Sequence, residues 1–225
     1  MVEFVTGPLL WFSFAVFFIG VAARTYLYIK GLDWKLDRVA YRVHVRYGME
    51  GAIRSLLYWL FPLGARRWRT KPGMALLFFA FHAGLIITPL FLLAHNIVLK
   101  NRWGITWLSL PERVSDILTI MVVVSGLFLV LRRVALSEVR ILTTAYDYLL
   151  LLIALCPFVT GFLASHLAPG YPFWLMAHIL SGEIMLIAIP LTKLSHVILF
   201  FMSRIQIGMD FGIKRGGMKG SGMPW

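Results

Sequence analysis

Apolar residues run along the chain in five long stretches, at about residues 5–29, 74–99, 114–133, 144–166 and 173–203. Each reaches the roughly 20 residues that an α-helix needs to cross the hydrocarbon core of a bilayer. Polar or basic loops separate them. The pattern predicts an all-α integral membrane five-helix bundle, one domain over residues 1–225, with a loop at 30–72 and a tail at 204–225. The first stretch opens MVEFVTGPLL, with Glu3 and no basic segment ahead of it. Its apolar run exceeds the roughly 7–15 residues of a signal-peptide core, so it reads as a true span.

Composition sharpens this. Hydrophobic residues make up 60% of the chain and charged residues 14%, against roughly 25% charged in a soluble domain. A water-soluble core cannot absorb that much apolar surface. Cys156 is the single cysteine, which excludes an internal disulfide. It also excludes a four-thiolate iron–sulfur cluster held by this chain alone.

The net charge is +12, and its distribution points to membrane topology rather than a nucleic-acid partner. Eleven Lys and Arg residues lie between Arg24 and Lys71. The third loop carries Arg132, Arg133 and Arg140, and the tail carries Arg204, Lys214, Arg215 and Lys219. The fourth loop, HLAPGYPFW, has no basic residue. The positive-inside rule therefore places loops one and three and the C-terminus in the cytoplasm, with the N-terminus outside.

Loop one interleaves apolar and basic residues in LDRVAYRVHVRYGMEGAIRSLLYWLF. That suits an interfacial helix on anionic membrane lipids, or a docking face for a cytoplasmic partner. His44 within it reads as a surface histidine. The tail GIKRGGMKGSGMPW is glycine-rich and basic and is expected to be flexible.

The candidate chemistry lies in the histidines. His82 and His95 fall on the second stretch, His166 ends the fourth, and His178 and His196 fall on the fifth. Ionisable groups in a bilayer are costly and face the bundle interior. On one continuous helix, the 18 residues from His178 to His196 make five turns and about 27 Å. One imidazole would then stand near each membrane surface. The second helix runs the other way, with His82 at the depth of His196 and His95 at that of His178. Two bis-histidine sites stacked across a membrane suit a pair of b-type haems, since imidazole is a standard axial ligand. Small residues beside the imidazoles, Ala83, Gly84, Ser181 and Gly182, leave room for a porphyrin or simply allow close helix packing.

The segments FHAG at 81–84, YDYLLLLIAL at 146–155 and HILSGEIMLIAIPLTKLSH at 178–196 resemble the gamma subunit of respiratory nitrate reductase. PLFLLAHN, WGITWLSLPE and LTKLSHVILFFMSR resemble more closely the cytochrome b subunits of the Hmc and Tmc transmembrane redox complexes. The resemblance covers about residues 74–203 and implies a diheme cytochrome b. Such a subunit passes electrons between the quinone pool and an iron–sulfur or multihaem partner. It implies His82 and His196 as ligands of the cytoplasmic-side haem and His178 as a ligand of the outer haem. The second outer ligand is expected to be His95, with His166 as the alternative. His82 and His95 are 13 residues apart, about 220° on an ideal helix, so sharing a face needs the kink that Pro89 can supply.

Other polar residues extend the reading. Lys193 pairs with a haem propionate or snorkels to the surface. Glu183 is a carboxylate within a span, suited to taking protons from quinol or to a structural hydrogen bond. The nitrate reductase family uses a lysine near the start of its third helix at the quinol site. Here LPERVSD places Ser115 there, beside Arg113 and Asp116. Arg113, Glu183 and His166 are therefore the candidate quinone residues, and Asp147 is expected to pair with a loop arginine.

The expectation is a membrane subunit with two haem b groups and a quinone or menaquinone substrate, in a prokaryotic inner membrane. Its partner would be a cytoplasmic iron–sulfur subunit or a periplasmic multihaem cytochrome c. The competing reading is a transporter, or a haem- or metal-handling protein, that uses the same intramembrane histidines.

Overall fold

The computed structural model describes residues 2–32, 45–166 and 169–214. His44 and the glycine-rich tail lie outside the described residues. Every regular element among the described residues is helical. In chain order these are α1 (Val2–Gly31, with a π-helical turn at Val5–Leu9), α2 (Val45–Leu60), α3 (Arg66–Thr70) and α4 (Pro72–Phe91). Then come α5 (Leu93–Trp103), α6 (Glu112–Ala135), α7 (Ser137–Arg140), α8 (Ala145–His166), α9 (Tyr171–Leu191) and α10 (His196–Lys214).

Among the described residues, six helical segments are long and apolar enough to cross a membrane: Val2–Gly31, Pro72–Phe91, Glu112–Ala135, Ala145–His166, Tyr171–Leu191 and Lys193–Ile213. They expose large apolar side chains such as Phe18, Ile19, Ile117 and Leu152. A surface of that kind is at home in lipid, where a helix satisfies its own backbone. The chain is a multi-pass membrane protein of helical type.

Two of the expected spans are not continuous helices. The one drawn over 173–203 stops at Leu191. Thr192 adopts an extended conformation, and a 3-10 turn at Lys193–Ser195 leads into α10. A continuing helix would bond the Leu194 N–H to the Pro190 carbonyl. Instead Leu194 N–H donates to Thr192 Oγ1 at 3.1 Å, and Arg24 Nε donates to the Pro190 carbonyl at 2.7 Å. Both groups freed by the break are satisfied, as an apolar setting demands. The five-turn geometry between His178 and His196 is corrected accordingly, since they sit on separate helices. The span drawn over 74–99 likewise breaks, at Leu92, whose backbone is extended. Pro89 precedes that break by three residues.

The chain divides into two compact units. The first comprises Met1–Leu10 and Leu76–Met185. Its core is Phe81, Val122 and Phe158, with Leu85, Val123 and Leu155 packed around them. Small residues set the helix spacing. A Cβ on Gly84 would collide with Val122 and the Leu118 carbonyl, and one on Gly126 with Leu155. Thr160 Oγ1 and Ser181 Oγ meet at 3.3 Å between α8 and α9. Such close approach supplies dispersion contacts where no hydrophobic effect drives helices together. Asn96 ties the α5–α6 loop down, donating to the Leu108 carbonyl at 2.9 Å and to Ser109 Oγ at 2.8 Å.

The second unit comprises Trp11–Ala75 and Leu186–Trp225. There α2 and α10 pack backbone to backbone. A Cβ on Gly208 would lie 2.7 Å from Ala52 Cα and 2.8 Å from Ser55 Cβ. A Cβ on Gly212 would lie 3.1 Å from Gly51 Cα. Trp59 extends the pair, with Arg204 over its ring at 4.8 Å and Trp68 edge-on at 5.6 Å. The remaining surface of α2 carries two stripes at four-residue spacing. Val45, Met49, Ile53 and Leu57 are exposed, and beside them Arg46 bonds Glu50 at 3.0 Å. The interleaved sequence therefore resolves into a glycine face, an apolar face and a charged face.

Candidate functional site

Five histidines were expected at the site, and the first unit holds four of them. His95 opens α5 just after the break that follows Pro89. Its Nδ1 lies 2.9 Å from the Pro89 carbonyl, which the break has left without its helical partner. His178 on α9 places Nδ1 2.8 Å from the Pro157 carbonyl of α8. Pro157 sits mid-helix, where proline loosens the local ladder. Each contact is made by Nδ1–H donating to a carbonyl. That fixes the tautomer and leaves Nε2 as an acceptor, the arrangement that orients a metal-binding imidazole. Neither Nε2 has a hydrogen-bond partner among the described residues.

The two rings come together. Their centroids are 5.8 Å apart and their planes differ by 19°. Gly161 makes the seat: a Cβ there would lie 2.8 Å from His178 Nδ1 and 2.9 Å from its Cε1. Gly182, one turn beyond His178, has open space where a Cβ would be. The glycines beside the histidines thus divide, Gly84 serving helix packing and Gly182 leaving room. The donor chemistry and tautomer at His95 and His178 suit these two imidazoles to hold a haem iron.

His166 is engaged elsewhere. Its Nε2 meets Asp116 Oδ2 at 3.3 Å, its Nδ1 lies 3.0 Å from the Phe162 carbonyl, and its ring stacks on Phe162 at 4.2 Å. His82, on α4, has Nδ1 2.8 Å from the Phe78 carbonyl and packs against the Phe78 ring at 4.1 Å. In the second unit, His196 begins α10 with Nδ1 2.9 Å from the Lys193 carbonyl. Lys193 thus contributes its backbone to that histidine.

Glu183 is 3% exposed, and neither carboxylate oxygen has a hydrogen-bond partner among the described residues. A carboxylate so placed is complete only with a proton or a donor brought to it. Arg113 is exposed at the start of α6. Ser115, at the position of the family lysine, is buried with its hydroxyl unpartnered among the described residues. Asp147 accepts from Thr144 N and Oγ1, both at 2.8 Å, and caps α8. Sequence reasoning missed Gly161 and the carbonyls of Pro89 and Pro157. The available signal was a proline inside each histidine-bearing or histidine-facing apolar helix.

An all-helical membrane protein with paired, tautomer-fixed imidazoles in one bundle is the class these features define. The chain is 51% identical over 226 residues to a protein of Nitratidesulfovibrio vulgaris (strain Hildenborough), covering 100% of both chains, and belongs to one family with it. No family model matches the chain. No solved structure matches it either.

Proposed function

We propose that the chain is the membrane diheme cytochrome b subunit of a prokaryotic respiratory complex. In this reading it carries electrons between the quinone pool and an iron–sulfur or multihaem cytochrome c partner. The observation that carries it is the His95–His178 pair, whose Nδ1 atoms are committed to proline carbonyls and whose rings stand 5.8 Å apart. A haem there would supply one-electron chemistry, and the protein would supply ligands, orientation and a dry setting. The family resemblance names His82 and His196 for the second haem, with Lys193 near His196 in sequence.

Five crossings, with the N-terminus outside and the C-terminus cytoplasmic, fit this reading best. Helix α2 lies in the chain between the first two spans, in the strongly basic loop that the positive-inside rule assigns to the cytoplasm. The glycine contacts hold α10 against α2, so α10 belongs on the same side and α9 is the last crossing. Its 21 residues give about 30 Å, enough for the hydrocarbon core.

A reduced-minus-oxidised optical spectrum of the purified chain tests the proposal. Bands of b-type haem are expected. A colourless protein that binds divalent metal would favour the transporter reading instead.

A further inference from the structure

Helix α2 leaves one apolar stripe uncovered. Val45, Met49, Ile53 and Leu57 follow one another at four-residue spacing, each about half exposed. One residue back along the helix, about 100° around its axis, come Gly48 and Ala52, which are buried. One residue forward come Arg46, Glu50 and Arg54, the charged row. The stripe thus lies between the face pinned to α10 and a face that carries charge. The apolar surface goes on around the turn to α3, where Leu60 and Leu63 are exposed and Phe61 is 62% exposed. A contiguous apolar surface of this kind marks a contact with something apolar. Helix α3 folds back on α2, with Ala65 buried and Trp68 edge-on to Trp59 at 5.6 Å. Four of the six residues 66–71 are basic. Arg66, Arg69 and Lys71 are exposed and, like Arg54, have no acidic partner among the described residues.

We propose that α2 and α3 lie flat on the membrane, with the α2 stripe at the acyl-chain boundary and the α3 cations on the phosphates of anionic phospholipids. The inference rests on the five-crossing topology above and needs no haem. The chain itself sets the depth. Segment 66–71 ends where α4, a crossing helix, begins at Pro72, so its cations stand at head-group level. From the other side, α10 is tied to α1. The Tyr28 hydroxyl, three residues from the end of that span, donates to Gln206 Oε1. Through Gly208 and Gly212, α10 then holds α2. Helix α2 is too short to cross instead. Its 16 residues give about 24 Å, against a hydrocarbon core of roughly 30 Å, and it carries Arg46, Glu50 and Arg54. Apolar side chains below and arginines at the flank are what an interfacial helix needs. A protein with an apolar groove would fit the stripe alone. The uncompensated cations beside it stand where lipid phosphate is the nearest anion, and that favours the leaflet.

The test is fluorescence quenching on the full chain carrying Cys156→Ser and a bimane label at Met49→Cys or Tyr58→Cys. Tyr58 lies nine residues from Met49, about 180° around the helix, and is also exposed. Two equimolar phosphatidylcholine–phosphatidylglycerol bilayers are compared, brominated on one lipid or on the other, each against the unbrominated bilayer. The label at position 49 is expected to be quenched, and the label at 58 is not. Quenching at 49 should be about twofold stronger from brominated phosphatidylglycerol, and Arg66→Gln, Arg69→Gln and Lys71→Gln together should abolish that preference. High salt should abolish it without any substitution. A label at 49 that neither lipid quenches overturns the proposal and leaves the stripe to a protein partner. Equal quenching at 49 and 58 overturns it too, since α2 would then be immersed. Equal quenching by the two lipids overturns the assignment to anionic head groups. No haem is read here, so failure of this test is distinct from failure of the cytochrome b reading, which the optical spectrum decides.

Discussion

Glycine does opposite things in the two units. Between α2 and α10 it removes all space, and Gly51, Gly208 and Gly212 bring backbone against backbone. Around His178 it makes space. Gly161 lets the Nδ1 edge of the imidazole approach α8, while Gly182 leaves a gap where a side chain would be. The small-residue patterns look alike in the sequence. What separates them is what stands opposite, a second glycine helix in one case and a histidine committed to a proline carbonyl in the other. A glycine-rich helix in a membrane protein therefore signals packing unless a titratable ring occupies the room it leaves.

This contrast can be broken at three positions. Gly208→Leu should do the greatest damage, because its side chain meets Ala52 Cα and Ser55 Cβ with nothing flexible to yield. A loss of about 3 kcal/mol is expected from overpacking, read as a lowered unfolding midpoint in detergent. Gly161→Ala should act locally. Its methyl would sit 2.8 Å from His178 Nδ1, so the ring must shift off the Pro157 carbonyl. The stability cost is about 1 kcal/mol, near that of one lost hydrogen bond. A haem held by His178, as proposed, would then show a shifted electron paramagnetic resonance signal. Gly182→Ala should do least, because nothing lies within 4 Å of the added methyl. A change within about 0.5 kcal/mol is expected, and a large loss there would contradict the open space assigned to it.

Much of this was legible in the sequence. Apolar runs of about 20 residues gave the helical membrane class, because a bilayer leaves few alternatives. The five candidate histidines were visible because imidazoles are rare in such segments. The breaks at Leu92 and Thr192 were not, although Pro89 and Pro190 hinted at them. A proline frees backbone groups, but whether the helix kinks or stops depends on who satisfies them. Here His95 and Arg24 do so, from positions no periodicity reveals. The pairing of α2 with α10 was also hidden. Its residues are more than 140 positions apart, and glycines carry no hydropathy signal. The sequence favoured His95 over His166 as the second outer ligand, but the contact of His166 with Asp116, 50 residues away in sequence, needed coordinates.

The most direct test is a pyridine haemochrome count per chain in His95→Ala, His166→Ala and His178→Ala. Loss of one of two haems in the His95 and His178 variants, with both retained in His166→Ala, is the predicted result. Two haems remaining after removal of His95, or one lost with His166, would contradict the imidazole pair on which this account stands.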